Sequence, residues 1–151
     1  MKAVVQRVSS AHVSVNHHSV GEIEGGLLVL LGITANDTKA QTKWLAEKIA
    51  NLRIFSDLDG KMNLSVKDLQ LGVLVVSQFT LYGNCMSGRR PDFMQASRPE
   101  HAEPLYNDFV HKMSQQLGYP VQTGSFGASM QVHLVNDGPV TLIIETNSLI
   151  L

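Results

Sequence analysis

The sequence holds one cysteine, Cys85, in 151 residues. A single thiol excludes an internal disulfide framework and any zinc site built from several cysteines of one chain. No apolar run is long. The longest, Leu27 to Leu31, falls far short of the roughly 20 residues that cross a bilayer as a helix. The opening Met1-Lys2-Ala3-Val4-Val5-Gln6-Arg7 is interrupted by charge almost at once and does not read as a secretory leader. A cytoplasmic protein with no membrane partner is the expectation, so the glycosylation-like triplets Asn36-Asp37-Thr38 and Asn63-Leu64-Ser65 read as chance. Charge of either sign is not in excess: 12 Lys and Arg against 13 Asp and Glu leave a net −1. That argues against broad, sequence-blind binding along a duplex and leaves room for a local phosphate contact. With 44% hydrophobic and 17% charged residues, the composition is that of a globular protein. A chain this size forms one domain, here residues 1–151, and buries ~70% of its unfolded surface.

Familiar catalytic signatures are missing too. There is no phosphate-binding loop, dinucleotide fingerprint or Gly-x-Ser-x-Gly elbow. The histidines, His12, His17, His18, His101, His111 and His133, show no paired ligand spacing on one helical face. His17-His18 falls at a turn, where neighbours point apart. Asp57-Leu58-Asp59-Gly60 lacks the later ligands of a calcium loop. Ser77 and Thr80 have no evident histidine base with which to form a triad. No metal site and no cofactor are expected.

What the chain does have is strand and helix periodicity. Ala11 to Asn16 alternates as a half-buried strand. Leu27 to Ile33 and Gly72 to Val76 are apolar on both faces, as strands buried between two layers would be. Thr38 and Gln41 stand at capping-box spacing before a helix with Leu45, Ile49 and Leu52 inward and Lys43, Glu47 and Lys48 outward, ending near Arg53. Asp57 to Lys61 carries a hairpin signal. A second helix begins at Pro99 or Pro104, repeats Leu105, Phe109, Met113 and Leu117 on one face, and ends at Gly118. The segment Tyr82 to Ser97 is a long polar loop of the kind that is usually functional or mobile.

Two stretches carry the chemistry. Ser77-Gln78-Phe79-Thr80 follows a buried strand, and Asn136-Asp137-Gly138-Pro139-Val140-Thr141 lies between apolar runs, reading as a tight reversal between two strands. Gly-Pro is an odd hairpin tip, since Pro139 has no N–H for the ladder and an X-Pro bond can be cis.

Together these stretches resemble the two signature motifs of the D-aminoacyl-tRNA deacylases (D-tyrosyl-tRNA deacylases), Ser-Gln-x-Thr and Asn-x-Gly-Pro-Val-Thr. The likeness runs almost end to end, through Val5-Gln6-Arg7-Val8, Arg53 to Asp57, Gly60 to Leu64, Arg90-Pro91-x-Phe93, Thr123-Gly124-x-Phe126 and Gly127-Ala128-x-Met130. It implies an α/β fold of mixed β-sheets with two main helices in β/β/α layers. It implies a homodimer with active sites at the subunit interface, and hydrolysis of the ester joining a D-amino acid to the 3′ end of tRNA. Ser77, Gln78, Phe79 and Thr80 are then the catalytic segment. Gly138 and Pro139, with Asn136, Val140, Thr141 and Phe126, select the D form. The resemblance implies a cis Gly-Pro peptide from the neighbouring subunit whose carbonyls exclude an L side chain while letting glycine pass. Arg89, Arg90 and Arg98 are candidate tRNA contacts, although Arg89, Cys85 and Asp92 depart from the usual family pattern.

Chemically, backbone amides near Ser77 to Thr80 would stabilise the developing oxyanion, with the substrate's 2′-hydroxyl assisting and Thr80 not serving as nucleophile. Two other classes are weighed: a non-catalytic dimeric module that binds RNA or nucleotide ends, and a metal-dependent hydrolase, which EDTA would silence.

Overall fold

The computed structural model describes residues 1–146. Its spine is β1 (Lys2–Val15). Residues 2–8 of β1 pair antiparallel with β3 (Gly26–Gly32), and residues 11–15 pair with β2 (His18–Ile23). Its opposite edge is covered along nearly its whole length by β8 (Gln131–Glu145). Beyond β3 the sheet continues in parallel through β6 (Gly72–Ser77) to the short β7 (Gln122–Thr123). A separate hairpin, β4 (Phe55–Ser56) with β5 (Met62–Leu64), flanks it.

The two doubly apolar strands behave as their sequence predicts. On β3, Leu27, Val29 and Leu31 join the core beneath the helices, while Leu28 and Leu30 face the other way. On β6, Val73 and Val75 point to the helices and Leu74 and Val76 away from them. Period-two alternation thus splits one apolar run into two cores. The larger core lies between the sheet and α1 (Lys39–Ala50) and α3 (Pro99–Leu117), around Phe109, Met113, Leu45 and Ile49. The smaller gathers Val8, Ala11, Val13, Ile23, Leu28, Leu74 and Val76 on the opposite face, where the sheet curls until β2 also touches β6 and β7. This is the mixed α/β, layered arrangement with two main helices.

Local signals place the helix ends. Thr38 and Gln41 form the predicted capping box, and α1 stops at Ala50 with Asn51 as its cap, three residues before Arg53. Pro99 opens α3, and Gly118 closes it in the left-handed region at φ 85°. A third helix of one turn, α2 (Val66–Leu69), was not predicted. It rests on a Ser65–Asp68 capping box. Gly26 is needed where β3 begins, because at φ 154° an added Cβ would lie 1.8 Å from the Gly72 carbonyl oxygen.

The largest correction concerns the C-terminal turn. Val135 to Thr141 is not a reversal between two strands but an excursion inside the single strand β8. Gln6 pairs with Thr141 and Val8 with Asn136, so one residue of β1, Arg7, stands opposite Asp137, Gly138, Pro139 and Val140. The strand bulges outward and then resumes its register.

Candidate active site

A cavity of about 540 Å³ opens at the carboxyl ends of the parallel strands β3 and β6, the usual location for a ligand beside such strands. Leu31 and Ile33 from β3 and its continuation, with Val76 and Ser77 from β6, form its floor. Gln78 and Phe79 form one side, Ser97, Arg98 and Ala102 another, and Phe126, Gly127, Ala128 and Met130 a third. Its lining is mostly apolar with a few polar groups, which suits binding of a small organic moiety.

The chain bends sharply after Ser77. Gln78 donates its amide to the Leu31 carbonyl at 2.8 Å, and Phe79–Tyr82 then form a 3₁₀ turn. Leu81 donates back to Gln78 and Gly83 to Thr80. Such a turn leaves its first amides without helical partners, here those of Phe79 and Thr80. The Gln78 amide is committed to β3 and is not free for an oxyanion. The Gln78 carboxamide donates to the Thr80 hydroxyl, so these two side chains are mutually oriented. Thr80 itself is exposed and does not line the cavity. Phe79 is 58% exposed and meets the Phe93 ring edge-on, centroids 5.3 Å apart.

Aromatic packing holds the third wall. Phe126 lies 5.6 Å from the Tyr106 ring, and the Tyr106 hydroxyl donates to the Val75 carbonyl at 2.8 Å. Burial pushes the Tyr106 phenol up to about 12, so it stays a neutral donor at physiological pH.

The Gly138–Pro139 segment is elsewhere. Neither residue lines the cavity of its own chain, nor do Asn136, Val140 and Thr141. Its peptide bond is cis, and both residues are exposed. Side chains brace this excursion from both strands. The Asn136 carboxamide accepts from the Val140 amide at 2.7 Å and donates to the Val140 carbonyl at 3.2 Å and to the Thr141 hydroxyl at 3.0 Å. Gln6 also donates to the Thr141 hydroxyl, at 3.3 Å. From β1, Arg7 donates through Nε to the Asp137 carbonyl at 2.9 Å and through Nη1 to the Ile54 carbonyl at 2.7 Å. Gly138 sits at φ 148°, where a Cβ would lie 2.7 Å from the Val140 nitrogen and 2.8 Å from its side chain. Only glycine fits there. Asn136 and Thr141 therefore shape the protrusion, while Gly138 and Pro139 form its exposed tip.

Of the three arginines, Arg98 lines the cavity, whereas Arg89 and Arg90 do not. They ride on a loop closed by reciprocal backbone bonds between Asn84 and Asp92 at 2.7 and 2.9 Å. Asp92, unusual on sequence grounds, accepts from the Met94 amide and so shapes that loop. The sequence reading did not assign Arg7, Met130, Phe93 or Ser97 to the site. Arg7, Phe93 and Met130 had a signal, since each lies in a stretch that carries the family resemblance; Ser97 had none. Among the described residues no group of three or more His, Cys, Asp or Glu is placed to hold a metal. Among the same residues no helix is long and apolar enough to cross a membrane.

A family model described as D-Tyr-tRNA(Tyr) deacylase matches residues 4–145. The chain is 56% identical to the D-aminoacyl-tRNA deacylase of Halalkalibacterium halodurans over 146 residues, covering 97% of this chain and 99% of that protein. It is 59% identical to the D-aminoacyl-tRNA deacylase of Geotalea uraniireducens, covering 97% and 94%. A solved structure described as the c-Myc DNA unwinding element binding protein superposes with a TM-score of 0.89 at 44% identity, covering 96% of this chain and 98% of that one. The chain belongs to the D-Tyr-tRNA(Tyr) deacylase family.

Proposed function

We propose that this member of the family is a cytoplasmic, single-domain, homodimeric D-aminoacyl-tRNA deacylase that rejects L-amino acids with backbone atoms of Gly138 and Pro139. The observation that carries the reading is a separation. The cavity lined by Ser77, Gln78 and Phe79 is open, while the braced Gly138-Pro139 tip stands exposed outside it. A second copy can supply its tip to the first copy's cavity and receive one in return, an isologous exchange that a two-fold dimer satisfies. The outer edge of β8 supports such pairing: among the described strands β8 pairs only with β1, which leaves its other edge open to a second copy, and Val135 beside it is 57% exposed and Ile143 68%.

In this scheme the 3′-terminal adenosine and its ester enter the cavity. The amide of Phe79, on the cavity wall, faces the ester carbonyl, where such a donor is worth ~10²–10³ in rate. Water attacks the carbonyl carbon, the 2′-hydroxyl of the substrate assists, and free amino acid and tRNA leave. Phe126 packs the amino-acid side of the cavity, and Arg98 at its rim meets a phosphate, with Arg89 and Arg90 further out. Rejection is steric. An L side chain would strike the Gly-Pro carbonyls, a D side chain points away, and glycine has nothing to strike. Glycyl-tRNA is therefore also hydrolysed.

A nucleic-acid-binding module without catalysis is the second reading, favoured by the likeness to the DNA unwinding element binding protein. Incubation with D-Tyr-tRNA and L-Tyr-tRNA separates the two. Turnover of the D ester alone supports the enzyme, and binding without turnover of either supports the module.

A further inference from the structure

We infer that Asp37, through Thr34 and His101, is a positioning residue that fixes the Gln95–Arg98 wall of the cavity; this rests on the deacylase reading of that cavity. The wall belongs to no strand or helix until α3 begins, yet it contributes Ala96, Ser97 and Arg98 to the lining. A segment of this kind keeps its place only through specific bonds. Ser97 donates its amide to the Ile33 carbonyl at 2.9 Å, and Thr34 bridges to Ala96. The Thr34 hydroxyl donates to the Gln95 carbonyl at 2.6 Å, a side-chain tie from the end of β3 to the wall.

Thr34 is itself held by a carboxylate. Asp37 Oδ2 accepts from the Thr34 amide at 2.8 Å, and the Asp37 amide donates to the Thr34 carbonyl at 3.1 Å. Asp37 is only 4% exposed, and its Oδ1 accepts from the Met1 ammonium at 2.7 Å. A buried carboxylate with both oxygens occupied is fixed in one rotamer, because freeing either oxygen would leave a buried charge short of partners. The other end of the wall returns to the same residue. His101, in the first turn of α3, places Nε2 3.0 Å from the Asp37 carbonyl oxygen. Ser97 and Arg98 thus lie between two anchors that converge on Asp37. Nothing in this set touches the reacting atoms, so its effect falls on where the substrate rests.

The test compares Thr34→Val, which deletes the hydroxyl tie and leaves the Asp37 carboxylate and ammonium in place, with Thr34→Ser, which restores it. Amide hydrogen exchange at Ser97 is expected to quicken roughly fivefold or more in Thr34→Val, with β6 amides unchanged and wild-type protection returning in Thr34→Ser. In deacylation kinetics KM for D-aminoacyl-tRNA should rise about fivefold with kcat within about twofold, as expected when binding geometry alone is loosened. Unchanged Ser97 exchange in Thr34→Val overturns the inference whatever the activity. So does a fall in kcat at constant KM. If the wild type fails to hydrolyse D-aminoacyl-tRNA at all, the deacylase reading falls, and the exchange comparison still judges the tie.

Discussion

The floor of the cavity and the Gly138-Pro139 protrusion are built by opposite means. The floor is the end of a parallel strand pair whose residues are fixed by two cores, one on each face. Its position follows from burial of Leu27 to Leu31 and Val73 to Val76, and changing it means changing the fold. The protrusion departs from β8 with its tip in solvent, and Asn136, Thr141, Gln6 and Arg7 give it shape. The floor is thus held by the hydrophobic effect and the protrusion by a handful of hydrogen bonds. Loss of the first kind costs the fold; on the proposed function, loss of the second kind costs discrimination.

Substitutions that move only one region sharpen this contrast. The largest effect should come from Gly26→Ala, at the far end of the strand pair that carries the floor. A Cβ placed 1.8 Å from the Gly72 oxygen forces β3 and β6 apart, at a cost of at least ~3 kcal/mol and roughly 10 °C in Tm. Thermal melting checks it, and an unshifted Tm would mean the strand pair is not held as described. Asn136→Ala comes next. It removes three hydrogen bonds at the protrusion and should lower Tm by only a few degrees while narrowing the D-over-L rate ratio about tenfold or more. A variant that melts much earlier with its ratio intact would put Asn136 in the scaffold instead.

Thr80→Ala tests the floor's chemistry with a smaller expected effect. It removes the partner of the Gln78 carboxamide and should leave deacylation within roughly threefold of wild type, because no base stands ready to activate that hydroxyl. Near-complete loss with a trapped acyl-enzyme would make Thr80 the nucleophile. The smallest effect is on the acid limb. The Ser65 amide, and then its hydroxyl, hold Asp68 below its ordinary 3.8. A carboxylate whose folded pKa is depressed contributes stability above its unfolded pKa and loses it as pH falls through the folded one. Tm should therefore decline on acidification below about pH 4, less steeply in Asp68→Asn, with the D-over-L ratio unmoved.

Much of this was legible in the sequence, for physical reasons that differ by region. The doubly apolar strands, the Thr38–Gln41 box, Pro99 and Gly118 each encode their structure locally, and each appears where its residues put it. Ser77-Gln78-Phe79-Thr80 was placed correctly after a buried strand, but not the turn that commits the Gln78 amide to Leu31 and frees the next two. The protrusion was misread as a hairpin tip. Asn, Asp, Gly and Pro mark a change of chain direction without saying whether the strand resumes, and only the long-range register with β1 decides it. The third wall, around Gly127, Ala128 and Met130, depends on how the sheet curls, which no local pattern records.

The central claim is that stereochemistry is read by backbone at Gly138 and Pro139. Three esters that differ by one methyl group test it most directly: glycyl-, D-alanyl- and L-alanyl-tRNA, followed for deacylation by the wild-type protein under one set of conditions. The account predicts hydrolysis of the glycyl and D-alanyl esters, with the L-alanyl ester no faster than its spontaneous rate. Comparable turnover of the L- and D-alanyl esters would contradict it.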